Sequence, residues 1–146
     1  MQNSTVVFQM LGHSKQTRNG DYEEFSPLEK WYIRPQTNKG FTKPVVLLTN
    51  DQTASAGDVF AMIMKALPQV NIIGENSLGI YSDMYGFELP NKWQVSLSNQ
   101  RYYSSNMICY ESKGTPVDIH VKNTKQDLLT MNDPVIITAL NFLKKK

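Results

Sequence analysis

The tightest constraint on this chain is the run Val45-Val46-Leu47-Leu48. Apolar, largely β-branched residues in succession, with no polar alternation, are the mark of a strand buried on both faces. After a loop over 49–54, residues Val59, Phe60, Ile63, Met64 and Leu67 recur at helical spacing until Pro68 closes the segment. Val70 to Ile73 is a second apolar strand. A strand, a helix and a strand in so short a stretch require a parallel pair joined by a right-handed crossover. The expected class is therefore α/β.

The rest of the chain elaborates that unit. Residues 1–43 are rich in turn formers, with Asn19-Gly20 as a turn, a short β-prone segment at Trp31-Tyr32-Ile33 and a stop at Arg34-Pro35. They read as a loop-rich entry to a core over 44–146. Short alternating strands are predicted at 86–89, 93–97, 107–110 and 117–121, the first two joined by a turn at Pro90-Asn91-Lys92. Asp133-Pro134 opens a final helix, with Asp133 as N-cap, proline at the first helical position and Val135, Ile136, Ala139, Leu140 and Leu143 as its apolar face.

Composition then removes several classes of function. At 146 residues the chain is one domain, long enough to bury roughly two thirds of its unfolded surface. Hydrophobic residues make up 40% and charged residues 19%, which argues against disorder and against a coiled coil. The net charge of +2 is more than supplied by the terminal Lys144, Lys145 and Lys146. The remainder lacks the broad basic face of a nucleic-acid binder. No apolar run approaches a membrane span, and Met1-Gln2-Asn3-Ser4 does not begin a signal peptide. The single cysteine, Cys109, excludes an internal disulfide and reads as a small buried hydrophobe. No His, Cys or acidic pair has metal-ligand spacing, and Gly74, Gly79 and Gly86 form no phosphate-cradling loop, so neither metal nor cofactor is expected.

Chemistry concentrates in Asp51-Gln52-Thr53-Ala54-Ser55-Ala56-Gly57-Asp58, between the first buried strand and its helix. A serine at a helix N-terminus has free backbone N–H groups and the positive end of the dipole beside it, which suit it to nucleophilic attack with an oxyanion held nearby. Ser55 with Asp58 three residues later also fits an N-cap close to the capping box, and spacing alone favours that plainer role.

The order of motifs adds a resemblance. Lys43 to Asn50, Thr53-Ala54-Ser55-Ala56, Gly74-Glu75, Gly79, Ser82-Asp83, Leu89-Pro90-Asn91, Trp93, Leu97-Ser98-Asn99, Tyr102, Tyr110-Glu111, Gly114, Pro116 and Asp118-Ile119 together resemble the catalytic domain of the C-terminal-processing (tail-specific) serine peptidases and their tricorn-like relatives. The match runs from about Gln16 to the C-terminus. It implies a ClpP/crotonase-like core carrying extra short strands and a C-terminal helix, and hydrolysis of peptide bonds by a serine nucleophile. Ser55 matches the nucleophile, Ala56 N–H one oxyanion donor, and Glu111 the late glutamate that organises the tricorn-like site. Beside Lys113 on a short strand, an acid such as Glu111 is equally compatible with a solvated surface position.

The sequence departs from the family at the base. Tail-specific enzymes place a lysine at the end of a stretch that here reads Gly74-Glu75-Asn76-Ser77-Leu78-Gly79-Ile80, and Ile80 takes no proton. Tricorn-like enzymes use an upstream histidine, matched by neither His13, in the loop-rich start, nor His120, in a strand as an outward-facing or satisfied residue. The segment bearing the second oxyanion donor, a glycine, has no match either. Residues 1–146 are thus expected to be the C-terminal part of a larger catalytic domain, packed against an upstream portion that supplies the base. Its substrate would be a polypeptide, self-association through exposed apolar surface is expected, and export follows from the resemblance alone. The alternative is a non-catalytic ligand- or peptide-binding module of the same fold, as in the retinoid-binding repeats of photoreceptor matrix. Aromatic pairs Trp31-Tyr32 and Tyr102-Tyr103 suit a peptide groove or, more plainly, half-buried strand pairs.

Overall fold

The computed structural model describes residues 8–15, 25–33 and 41–145. The turn read at Asn19-Gly20 and the segments after Ile33 lie outside them. The entry region is more regular than its composition suggests. Two strands, β1 (Phe8–Lys15) and β2 (Glu29–Ile33), pair antiparallel there, with Leu11 opposite Trp31 and His13 opposite Glu29. His13 therefore belongs to a strand, not to a loop.

The crossover forms as expected. β3 (Val45–Thr49) leads through a turn into α1 (Ala56–Lys65), which returns to β4 (Val70–Gly74), and the two strands pair in parallel, Leu47 against Ile72. Ala61 and Met62 of α1 and Ile72 and Ile73 of β4 are almost fully buried. β3 is not. Val45 to Leu47 are half-buried and Leu48 is 42% exposed, because within the described residues β3 is an edge strand with β4 as its one partner. Continuous apolar character marked a strand made for burial, but it does not say which neighbour covers it.

Beyond the crossover, β5 (Met84–Glu88) and β6 (Gln94–Ser98) form the expected hairpin through Pro90-Asn91-Lys92. Lys92, at φ 72°, donates its N–H to Leu89 O at 2.8 Å. β7 is Gln100–Ser104, not the predicted 107–110. Tyr102 and Ser104 face the core, whereas Met107 adopts φ 61° in a turn that sends its own N–H back to Ser104 O. β7 pairs with β1, giving the order β2-β1-β7, and Trp31 stacks edge-on against Tyr102 at 6.2 Å.

The predicted strand at 117–121 shortens to β8 (Ile119–His120), parallel to β4. Before it, Asp118 is diverted to bind Ile72 N–H at 2.8 Å and Lys65 Nζ at 2.7 Å. Burial by itself would raise the Asp118 carboxyl, but the Lys65 ammonium and the Ile72 amide outweigh it and hold it below the usual carboxylate range. α2 (Lys125–Leu129) escaped the periodicity reading, being too short to show a face. α3 (Pro134–Lys144) begins as expected, with Asp133 accepting from Val135 and Ile136 N–H. Of its apolar face, Ala139 is buried while Ile136, Leu140 and Leu143 are exposed. Cys109 is half-buried, not interior. No helix among the described residues is long and apolar enough to cross a membrane.

Candidate active site

Ser55 stands where β3 gives way to α1, and the turn before it is built from its own polar residues. Asn50 Oδ1 accepts from Gln52 N–H, and Thr53 Oγ1 accepts from Asn50 N–H, each at 3.1 Å. Thr53 O then accepts the Leu78 N–H at 2.7 Å, so the loop after β4 lies across the loop after β3. Ser55 follows with φ 54° and ψ −116°. A residue bearing a Cβ is costly in this region, on the order of 1–3 kcal/mol, and persists only where its surroundings impose it.

The molecule contains its own controls for that geometry. The N-caps of α2 and α3, Thr124 and Asp133, have φ −88° and −76° with extended ψ. Thr124 and Asp127 even form the same Ser/Thr-x-x-Asp box as Ser55 and Asp58. Capping is satisfied there with ordinary backbone, so capping does not require the left-handed turn at Ser55.

Ser55 and Ala56 are both exposed, and the Ala56 amide lies in the first turn of α1, where no intrahelical acceptor exists for it. Behind them Asp58 is fully buried. Its Oδ2 accepts from Ser55 N–H at 2.9 Å and Ile80 N–H at 3.0 Å, and its Oδ1 from Gly79 N–H at 2.9 Å. Gly79, at φ 88°, runs so close to the following loop that a Cβ there would sit 2.6 Å from Gly114 N. That contact fastens 77–79 to 112–115, with Ser112 N–H on Gly79 O at 2.8 Å and Thr115 N–H on Ser77 Oγ at 2.8 Å.

Glu111 binds the next amides along the same segment. Its Oε2 accepts from Tyr81 N–H at 3.2 Å and lies within reach of the Ser82 amide. Burial raises its carboxyl above the ordinary value, with the Asp58 charge adding to it and the two amides opposing it. Buried Tyr81 bonds its hydroxyl to Thr115 Oγ1 at 2.5 Å, and burial pushes its phenol up as well. Glu111 is thus half-buried and engaged, not a solvated surface acid. Glu111 is not hydrogen-bonded to Ser55. Glu111 reaches Ser55 through Tyr81, Ile80 and Asp58. Ile80 is 44% exposed, and His120 is an exposed residue at the end of β8.

Asp58 is what the sequence reading undervalued. Its position marked it as a cap, and no local pattern shows that two further amides 21 and 22 residues away converge on it.

The profile of peptidase family S41 matches residues 3–121. The fold superposes on a crystal structure from Parabacteroides merdae assigned as a peptidase, with TM-score 0.83 and 27% identity, covering 94% of this chain and 43% of that one. It also superposes on the photosystem II D1 C-terminal processing protease, with TM-score 0.57 and 20% identity, over 80% of this chain and 28% of that one. An uncharacterised protein of Chlamydia muridarum is 25% identical over 117 residues, 76% of this chain and 20% of that protein. The chain therefore spans less than half the length of these relatives. On the extent of the family match, the chain belongs to peptidase family S41.

Proposed function

We propose that this chain is the nucleophile-bearing, C-terminal part of a larger serine endopeptidase domain, with Ser55 attacking the peptide carbonyl. The observation that carries this reading is the left-handed backbone of Ser55 at the exposed N-terminus of α1, held at a cost that capping does not demand. A serine on a strained strand-to-helix turn is a recurrent way of exposing a nucleophile to substrate while leaving first-turn amides free beside it. In this reading Ala56 N–H holds the developing oxyanion, and Glu111 supports the site by fixing the Tyr81 segment. Ser55 must lose a proton as it attacks, and Ile80, at the lysine position of tail-specific enzymes, has no group to receive it. The base accordingly comes from an upstream segment, as in the tricorn-like branch. The edge of β3 left unpaired among the described residues and the exposed apolar residues of α3 support packing against such a segment, and second copies of the chain are a further occupant of that surface. The substrate is a polypeptide.

In the full-length parent, Ser55→Ala is expected to abolish cleavage of a denatured protein substrate while leaving the unfolding transition in place. Cleavage at the wild-type rate would refute the assignment. Ile80 also favours a second reading, a module of this fold that binds peptides or other ligands without cutting them. A parent whose upstream segment carries no histidine near Ser55 would select that reading.

A further inference from the structure

We propose that Asp58 is a positioning residue: its buried carboxylate holds Ser55 in the left-handed conformation and locks it to the Gly79-Ile80 segment. This rests on the reading of Ser55 as nucleophile. A single oxygen, Oδ2, takes the amides of both Ser55 and Ile80, so the serine and the loop that faces it share one anchor. Oδ1 takes Gly79 N–H, leaving no freedom for the carboxylate to rotate. In the same segment Glu111 takes Tyr81 N–H, so consecutive amides from Gly79 to Tyr81 are held by two acids. Local capping accounts for the Ser55 amide but not for those of Gly79 and Ile80. In α2, Asp127 occupies the same box position, accepts from Thr124 alone, and leaves its N-cap at ordinary φ.

The carboxylate is the group that fits. It offers acceptors to three donors, whereas an amide in its place turns an NH2 either toward Gly79 N–H or toward the Ser55 and Ile80 amides, a donor facing donors. If Asp58 sustains the conformation of Ser55, loss of the carboxylate and relief of the Ser55 backbone must be coupled.

A double-mutant cycle in this chain tests it, using Asp58→Asn, Ser55→Gly and the pair. Glycine adopts the left-handed region without penalty, so no backbone strain is released to offset the lost hydrogen bonds, and the fall in unfolding midpoint caused by Asp58→Asn should be clearly larger in the Ser55→Gly background than in the wild type, where Ser55 relaxes. Equal falls in the two backgrounds would overturn the proposal. Should Asp58→Asn fail to fold, hydrogen exchange on the wild type supplies a second measurement. The Ser55, Gly79 and Ile80 amides should open together with a common protection factor, and a Ser55 amide exchanging orders of magnitude faster than the other two would contradict the shared anchor. In the full-length parent, displacement of Ser55 should lower kcat by about a hundredfold with KM little changed. A KM effect alone would count against positioning. The cycle and the exchange measurement do not depend on catalysis. Failure of the nucleophile assignment therefore shows as an inactive wild type with coupling intact, and failure of the Asp58 role as an active wild type without coupling.

Discussion

Two helices in this molecule start with the same four-residue pattern and use it differently. At α2, Thr124 and Asp127 close a local box in which the aspartate contacts its own N-cap, the backbone is ordinary and no residue of the helix is buried. At α1, Ser55 and Asp58 close a box whose aspartate is buried and also gathers amides from a loop 21 and 22 residues on, while its N-cap is driven to φ 54°. Capping is the common part. The burial, the long-range amides and the strained serine are the surplus, and the surplus is what points to function.

Substitutions sharpen the contrast in descending order. Asp58→Ala strands three buried or half-buried amides and should cost on the order of 3–5 kcal/mol in a denaturant titration. A loss like that of a surface cap would erase the distinction between the boxes. Gly114→Ala at φ 74° drives a Cβ into the Ser77 backbone and should cost well over about 1 kcal/mol. Its expected effect separates the fastened loops around the site from the open hairpin of β5 and β6, where Leu97→Ser should stay within about 0.5 kcal/mol. Ser55→Gly should run the other way, raising stability by about 1 kcal/mol as the backbone relaxes, since glycine is a nearly equal N-cap. Thr124→Ala should lower stability by about 1 kcal/mol or less, the ordinary value of a cap.

The smallest expected effect is one of pH. Glu111 has its folded-state carboxyl raised above the ordinary 4.5, so its contribution is fully present below that value and is lost as pH rises through the folded one. Relative to Glu111→Gln, the wild type should therefore lose ground between acid and neutral pH when both are titrated with urea. The opposite slope would mean that the Tyr81 and Ser82 amides, not burial, dominate that carboxylate.

How far this architecture was legible in the sequence follows from where its forces are local. The β3–α1–β4 crossover, the Pro90-Asn91-Lys92 hairpin and the Asp133-Pro134 helix start were readable because apolar runs, turn residues and caps act within a few positions. Ser55 was visible as a candidate for the same reason. Of the pair β1 and β2, the β-prone Trp31-Tyr32-Ile33 was readable, but its antiparallel partner was not, since the pairing joins segments separated by a turn-rich stretch. Strand β7 was displaced because Tyr102 and Ser104 owe their burial to β1 and the core, not to a local pattern. The role of Asp58 is the sharpest case: Ser-x-x-Asp reads as a cap, and only the folded loops reveal the other amides it holds.

The proposed activity rests on Ser55 being the group that reacts. Intact-mass and peptide analysis of the larger peptidase proposed above, after exposure to a fluorophosphonate, measures that directly, with Ser55→Ala beside it. One adduct, located on Ser55 and absent from the variant, is the expected result; an adduct on another serine, or equal labelling of Ser55→Ala, would contradict it.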